Sequence, residues 1–373
     1  MLDKFGSEFL RRNAETAAVA DDPIHVLNPV ERAGLRRVSR GAVFRAAVAG
    51  IVNGVLTGLG DLYAAHLFGP LSAQPTLGER ARYWAVFGTG AVVFAVLEIM
   101  YLGWDGLRSV TRLSAVAGLE LSKDDNKEVA LALARAALEL PNPPEAVLGV
   151  NPHREASKLQ LVFASAVYKL KIFVTNFIFK QVLLHAVPAL ATRLVLAFTA
   201  VPINGLWNGL VCWSVLREAR IRVMGPSAAI DMLQTVLEGE PEPSAELALV
   251  LHRAVSSAIV RTQELHPNHV AIVRAVRHRL GEPPAGLELD DSVAFLNALP
   301  TLSQPEQLVA LRLLAVAAFL DGRLVRAEKR LLDEAYTVVG LPAAPGLAHV
   351  EKLRRAFVAG DIIPGAELRA VSV

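Results

Sequence analysis

Charged and amide side chains interrupt the long apolar stretches of this 373-residue chain. They include Asn53, Asp61, Glu98, Lys180 and Asn204. Ionisable groups at membrane depth are costly, so they usually pair inside a protein or line a path for ions or protons. Counted from the same side of the bilayer, Glu98 and Lys180 reach depths of about 9 Å and about 12 Å at 1.5 Å per residue. We therefore predict a Glu98–Lys180 pair, and a proton or ion relay is the alternative.

The apolar stretches that carry these residues predict transmembrane helices. Hydrophobic residues make up 53% of the chain and are concentrated between residues 44 and 216. A helix needs about 20 residues to cross the hydrocarbon core. We predict four spans in two hairpins, at 44–104 and 158–217, although an amphipathic interfacial helix is an alternative for the third span. Apolar helices buried in a soluble bundle are a further alternative.

Glycines recur at helical spacing in the first and fourth predicted spans. They are Gly50, Gly54, Gly58, Gly205 and Gly209. The first three share a helix face with Asp61. The pattern Asn-Gly-x-x-x-Gly-Leu occurs at 53–59 and again at 204–210, by internal duplication or by chance. Small residues let helix backbones approach closely in lipid, so we predict that these glycines pack against neighbouring helices.

Basic residues predict the orientation of the spans. They flank the N-terminal end of the first span and the C-terminal ends of the second and fourth, whereas the hairpin turns hold few. The positive-inside rule then places both termini in the cytoplasm. The remaining segments are predicted as a cytoplasmic N-terminal helical segment at 1–43, a cytoplasmic helical connector at 105–157 and an all-α cytoplasmic domain at 218–373. The whole chain is thus predicted to be all-α.

A second group of residues that could bind a ligand lies near the C-terminus. The segment Ala-Ala-Phe-Leu-Asp-Gly-Arg-Leu-Val-Arg-Ala-Glu at 317–328 resembles the signature of tellurite-resistance TerB-like domains. The resemblance implies an all-α domain over about 226–360, a role in membrane-linked stress responses, and a divalent cation held by Asp321 and Glu328. The residues themselves offer another interpretation. Gly322 can end a helix, Asp321 can cap the next turn, and Glu328 suits the first turn of the following helix.

Composition excludes several classes of function. A net charge of +2 argues against a nucleic-acid-binding protein held by a broad positive field. A single cysteine cannot form an intramolecular disulfide or a paired-cysteine metal site. The chain carries no phosphate loop, nucleophile elbow, His-Glu-x-x-His or dinucleotide fingerprint. We therefore expect no catalytic activity and no resident cofactor.

The features combined predict a multi-pass protein of the cell membrane. We expect a non-catalytic scaffold or sensor that presents a TerB-like cytoplasmic domain to a protein partner, in envelope or stress response. Its expected partners are the lipid bilayer and further copies of itself, and nucleic acid is not among them. The alternative function is an oligomeric ion channel or transporter, lined by the polar residues of the spans.

Overall fold

The computed structural model describes residues 2–14, 25–68, 76–119, 121, 127–140, 146–155, 198, 200–239, 242–284 and 286–372. Within these ranges the regular structure is helical, apart from one isolated bridge between Val147 and Val150. The prediction of an all-α chain is therefore confirmed. The α-helices are α1 (Leu2–Arg12), α2 (Pro29–Phe68), α3 (Leu77–Val116), α4 (Lys127–Ala137), α5 (Ala200–Val236), α6 (Ala245–Thr262), α7 (Pro267–Leu280), α8 (Ser292–Ala298), α9 (Gln304–Phe319), α10 (Arg326–Val339), α11 (Ala343–Ala359) and α12 (Gly365–Arg369).

The chain divides into two compact units. The first, here called the helical body, comprises Met1–Ala33, Ser114–Ala156 and Glu218–Val373. The second, the hairpin unit, comprises Gly34–Leu113 and Ser157–Arg217. The helical body thus draws on three separate stretches of the chain, and the hairpin unit draws on two.

Helices α2 and α3 are long and apolar enough to cross a membrane. Each has 40 residues, so each extends well beyond the span predicted from its apolar residues. At the start of α2, the side chain of Asn28 accepts hydrogen bonds from the backbone N–H groups of Val30 and Glu31, and the Glu31 carboxylate accepts one from Asn28 N–H. This reciprocal cap starts the helix at Pro29. The arginines that follow favour helix and do not break it.

Helix α5 also continues where the sequence predicts a boundary. It runs through Pro226 to Val236, although proline removes one helical hydrogen bond. Gly225 precedes this proline, and the side chain of Asn268 occupies the place where its Cβ would stand. The side chain of Asn268 on α7 therefore lies directly against the backbone of α5 beside this proline.

The core of the helical body is built around α9. Ten of its sixteen residues are buried, and its pairing with α6 is the most extensive among the described helices. Helices α7, α8 and α10 pack on α6 as well. Ser244 caps α6 and Asp291 caps α8. Burial of these apolar faces, rather than helix propensity, is the main source of stability for such helices.

Candidate functional site

The carboxylate of Glu98 lies where three helices of the hairpin unit meet. On α2, Asn53 donates a hydrogen bond from Nδ2 to Oε2 of Glu98. On α5, buried Asn208 donates from Nδ2 to Oε1 at 2.7 Å. An ionised carboxylate only accepts hydrogen bonds, and bonds to a charged acceptor are about twice as strong as neutral ones. These three residues, here called the Glu98 cluster, therefore join α2, α3 and α5.

The Glu98 cluster includes partners that the sequence did not single out for Glu98. Lys180, the predicted partner, lies outside the described residues, so the Glu98–Lys180 pair stays a prediction. Asn53 was expected among the polar residues of the spans, but without a stated partner. Thr57, one helical turn along α2, donates from its hydroxyl to Oδ1 of Asn53 at 3.4 Å. The amide of Asn53 is thereby oriented with its donor towards the carboxylate.

Four of the predicted glycines lie at one crossing of α2 and α5, here called the glycine crossing. They are Gly50, Gly54, Gly205 and Gly209. Gly50 faces the backbone carbonyl of Asn204, and a Cβ on Gly50 would lie 2.6 Å from that carbonyl carbon. A Cβ on Gly54 would lie 2.9 Å from Cα of Val201. Real Cβ contacts are not this close. The backbones of α2 and α5 can therefore touch here only because residues 50 and 54 are both glycine.

The contact is reciprocal. A Cβ on Gly205 would lie 2.8 Å from Cγ1 of Ile51 and 3.2 Å from the carbonyl oxygen of Ala47. At Gly209 there is more space, since the nearest atom would be 3.6 Å away, on Val43. Gly58 is buried in α2. Asn204 contributes its backbone carbonyl to the crossing, through the contact with Gly50.

A bidentate ion pair joins α2 and α3 at one end of the hairpin unit. Arg45 donates from Nε to Oδ1 of Asp105 at 2.8 Å and from Nη2 to Oδ2 at 3.2 Å. Nη2 also reaches the hydroxyl of Ser109 at 3.1 Å, and Asp105 is buried. The sequence analysis placed Asp105 in the connector. The available signal was that antiparallel helices bring the start of one predicted span beside the end of the next.

Asp61 lies towards the other end of the same hairpin. The hydroxyl of Tyr83 on α3 donates a hydrogen bond to Oδ1 of Asp61 on α2. Tyr83 is buried, and a buried tyrosine hydroxyl usually finds a partner. Asp61 thus forms a third tie between α2 and α3, which the sequence did not predict.

The acidic pair near the C-terminus organises a turn of the helical body. Oδ1 of Asp321 accepts a hydrogen bond from Arg323 N–H at 2.7 Å, and Gly322 has a φ of +76°. Oε2 of Glu328 accepts one from Val325 N–H at 2.8 Å. Both side chains thereby cap the turn between α9 and α10. The described part of the chain holds no group of three or more histidine, cysteine or acidic residues placed to bind a metal.

The environment of Glu328 favours its protonated form. The residue is fully buried, and Oε1 has no hydrogen-bond partner. Burial, and next the charge of Asp321, raise the pKa of the Glu328 carboxyl well above its usual value. A hard divalent cation prefers six or more oxygen ligands. The cation implied by the TerB-like resemblance therefore remains an expectation at Asp321 and Glu328.

A buried polar network crosses the helical body, and the sequence analysis missed it. Glu218 on α5 lies 2.9 Å from Nε2 of His266 and 3.0 Å from Nε of Arg222. Nδ1 of His266 accepts from Asn268 N–H at 3.2 Å, so the ring donates from Nε2 to Glu218. Burial alone would raise the pKa of Glu218, but the hydrogen bond from His266 and the nearby charges of Arg222 and Arg323 hold it well below its usual range.

Asn268 extends the network into the backbone. Its Nδ2 donates to the carbonyl oxygens of Leu320 at 2.7 Å and of Ile221 at 3.1 Å. One amide thus ties α5 to the end of α9. The partners of Asn268 lie about 50 positions away along the chain, where sequence spacing carries no information.

Comparisons of the chain with protein-family models, with curated proteins and with solved structures found no match. The TerB-like resemblance thus rests on the residues at 317–328. The arrangement as a whole is one of ties between helices. Carboxylates meet amides, arginines or hydroxyls, and none of the described groups combines a nucleophile with a base and an orienting partner.

Proposed function

We propose that the chain is a non-catalytic integral membrane protein whose hairpin unit anchors the helical body to the bilayer. The observation that carries this proposal is the Glu98 cluster, in which two amides from two different helices occupy both carboxylate oxygens. A carboxylate satisfied in this way fixes helices relative to one another and costs less at membrane depth than an unpaired charge. It supports a structural role for Glu98 over a relay.

Exposed apolar side chains support the membrane location. On α3, Val92, Val96, Ile99 and Met100 are all exposed. Large apolar side chains exposed side by side on one helix are typical of a surface that contacts lipid or another protein. In a bilayer these side chains contact lipid, so the free-energy cost of exposing apolar surface to water does not arise. Arg45 and Asp105 then lie near one interface, where charged groups are tolerated.

The helical body is the part proposed to meet a partner. It is a scaffold or sensor module, TerB-like by the resemblance at 317–328, and its role is in envelope or stress response. Further copies of the chain and a cytoplasmic protein are the proposed partners. Both termini lie in the cytoplasm in this proposal, because the basic residues Arg36, Arg37 and Arg40 precede the apolar part of α2.

Membrane insertion is tested by alkaline carbonate extraction of membranes that contain the full chain. The protein should stay in the pellet, and release into the supernatant would contradict the proposal.

Topology is tested with the chain's single cysteine removed as Cys212→Ser. A membrane-impermeant maleimide should label Thr76→Cys in intact spheroplasts, but should label Glu246→Cys only after lysis. The reverse pattern would invert the topology.

The channel alternative is tested by ion flux in proteoliposomes. The proposal expects no flux from the wild-type protein or from Glu98→Gln. Flux from the wild type that disappears in Glu98→Gln, with the variant still folded, would overturn the scaffold role. Gly60→Ala is the matched control, because Gly60 has room for a methyl group.

A further inference from the structure

An apolar groove runs between α2 and α3 on the surface of the hairpin unit. Its volume is about 370 Å³, within the range of about 300–1,000 Å³ typical of small-molecule sites. Its walls are Phe44, Val48, Val52 and Leu56 of α2 with Phe94 and Leu97 of α3. Tyr101 lies at the same end as Phe44, because the two helices are antiparallel.

The length of the groove matches one leaflet of a bilayer. From Phe44 to Leu56 the axis of α2 rises about 18 Å at 1.5 Å per residue. One leaflet contributes about 15 Å to the hydrocarbon core of about 30 Å. The groove therefore begins near one interface and ends close to the bilayer centre. This is the depth that a phospholipid acyl chain occupies.

The floor of the groove is already satisfied. Glu98 and Asn53 line it, but they bind each other, and Asn208 holds the second oxygen of Glu98. An apolar occupant therefore meets a carboxylate and an amide that are already hydrogen-bonded. It also excludes water from the Glu98 cluster and strengthens its hydrogen bonds, since electrostatic interactions grow as the local dielectric falls.

Two arginines extend the groove at its interfacial end. Arg37 lies seven residues before Phe44, and Arg108 lies seven residues after Tyr101, so each is two turns further along the same helix face. Both side chains are exposed. Neither has an ion pair within the described ranges, whereas Arg45 is held by Asp105. Arg108 also stacks over Trp104 at 5.3 Å, and tryptophan favours the interface.

We infer that the groove is a binding site for one anionic phospholipid. An acyl chain lies in the groove, and the phosphate of the headgroup pairs with Arg37 and Arg108. A second copy of the chain fits the groove less well. Two copies side by side in one membrane, joined through this face, would bring the same two arginines together at the same depth, and like charges in contact are unfavourable. The inference rests on the proposed membrane location.

The test is native mass spectrometry of the purified full chain, titrated with phosphatidylglycerol or with phosphatidylcholine of the same acyl chains. Phosphatidylglycerol should bind as one tight adduct. Each arginine near an anionic headgroup is worth about 1 kcal/mol, so Arg37→Gln with Arg108→Gln should weaken this adduct about 30-fold. Phosphatidylcholine binding should hardly change. The control, Arg326→Gln with Arg330→Gln, removes two exposed arginines of the helical body.

The groove itself is tested by filling it. Val52→Trp should weaken the binding of both lipids. Val92 is an exposed position outside the groove lining, so Val92→Trp should weaken the binding of neither. Equal binding of the two lipids with no effect of the arginine pair would overturn the inference. So would a Val52→Trp variant that turns a dimer into a monomer while lipid adducts persist.

A photoreactive acyl chain on phosphatidylglycerol keeps the test independent of variant folding. In the wild-type protein it should label peptides of α2 and α3 that contain Val52 and Leu97. Labelling elsewhere would refute the site. If the protein stays in the carbonate pellet while these experiments fail, the lipid site alone is wrong. If carbonate releases the protein, the membrane assignment is wrong.

Discussion

A methyl group at Gly50 should destabilise the hairpin unit. In Gly50→Ala, the new Cβ would lie 2.6 Å from the carbonyl carbon of Asn204 and 2.8 Å from Nδ2 of Asn208. The first contact is with backbone, so α5 must move. The second is with the donor that binds Glu98, so this hydrogen bond must lengthen or break.

The size of the effect follows from three contributions. Overpacking costs about 1–3 kcal/mol, and loss of a hydrogen bond to a charged group costs about 1.5–3 kcal/mol. Alanine regains about 1 kcal/mol of helix propensity over glycine. The net loss should therefore be about 1.5–5 kcal/mol. Gly60→Ala is the control on the same helix, because its Cβ would lie 4.0 Å from the nearest atom, on Phe87. We expect this variant to be neutral or slightly stabilised.

The assay is reversible unfolding of the full chain in mixed micelles by a denaturing detergent, followed by circular dichroism and tryptophan fluorescence. The two variants add the same methyl group to the same helix, so their difference reports the crossing alone. Equal stabilities for Gly50→Ala and Gly60→Ala would refute the close contact of α2 with α5. A double variant of Gly50→Ala with Asn208→Ala should lose less than the sum of the two single variants.

Three further predictions concern charged groups. Lys180→Ala should destabilise the chain in the same micelle assay, and adding Glu98→Ala should restore part of the loss; additive losses would refute the pair. The pKa of Glu328 is raised in the folded state, so its contribution to the free energy of unfolding is fully present below about pH 4.5 and is lost as pH rises through the folded-state pKa. Glu328→Gln should therefore flatten the decline of Tm with rising pH. The pKa of Glu218 is lowered, so the pH dependence is the opposite: its contribution to the free energy of unfolding is present above about pH 4.5 and is lost on acidification. Glu218→Gln should cost about 3 kcal/mol at pH 7 and nearly nothing at the acidic limit, and an equal cost at both pH values would refute the network.

The parts of the structure that were predictable depend on local pattern. Helical periodicity without strand-like alternation indicated an all-α chain. Glycines four residues apart pointed to positions that meet another backbone, as Gly50 and Gly205 do. The Asp-Gly turn offered its own capping interpretation, and the hydrogen bonds of Asp321 and Glu328 lie in that turn.

The parts that were not predictable depend on which helices become neighbours. Depth along a helix placed Glu98 at a level in the bilayer, but the rotation of α3 and the identity of the adjacent helices decide that Asn208 reaches it. The ends of the helices differ from the ends of the predicted spans for a related reason. Hydropathy reports where apolar residues stop, whereas a helix stops at a breaker or a cap, so α2 and α3 continue past their apolar parts.

The glycine crossing gives the two units different responses to cold. The helical body is held by buried apolar side chains, and this driving force weakens on cooling. In the proposed membrane location no such force draws helices together, and α2 meets α5 through dispersion contacts between backbones. On that proposal, lower temperature should loosen the helical body before it loosens the crossing, so the hairpin unit should be the more cold-resistant part of the molecule.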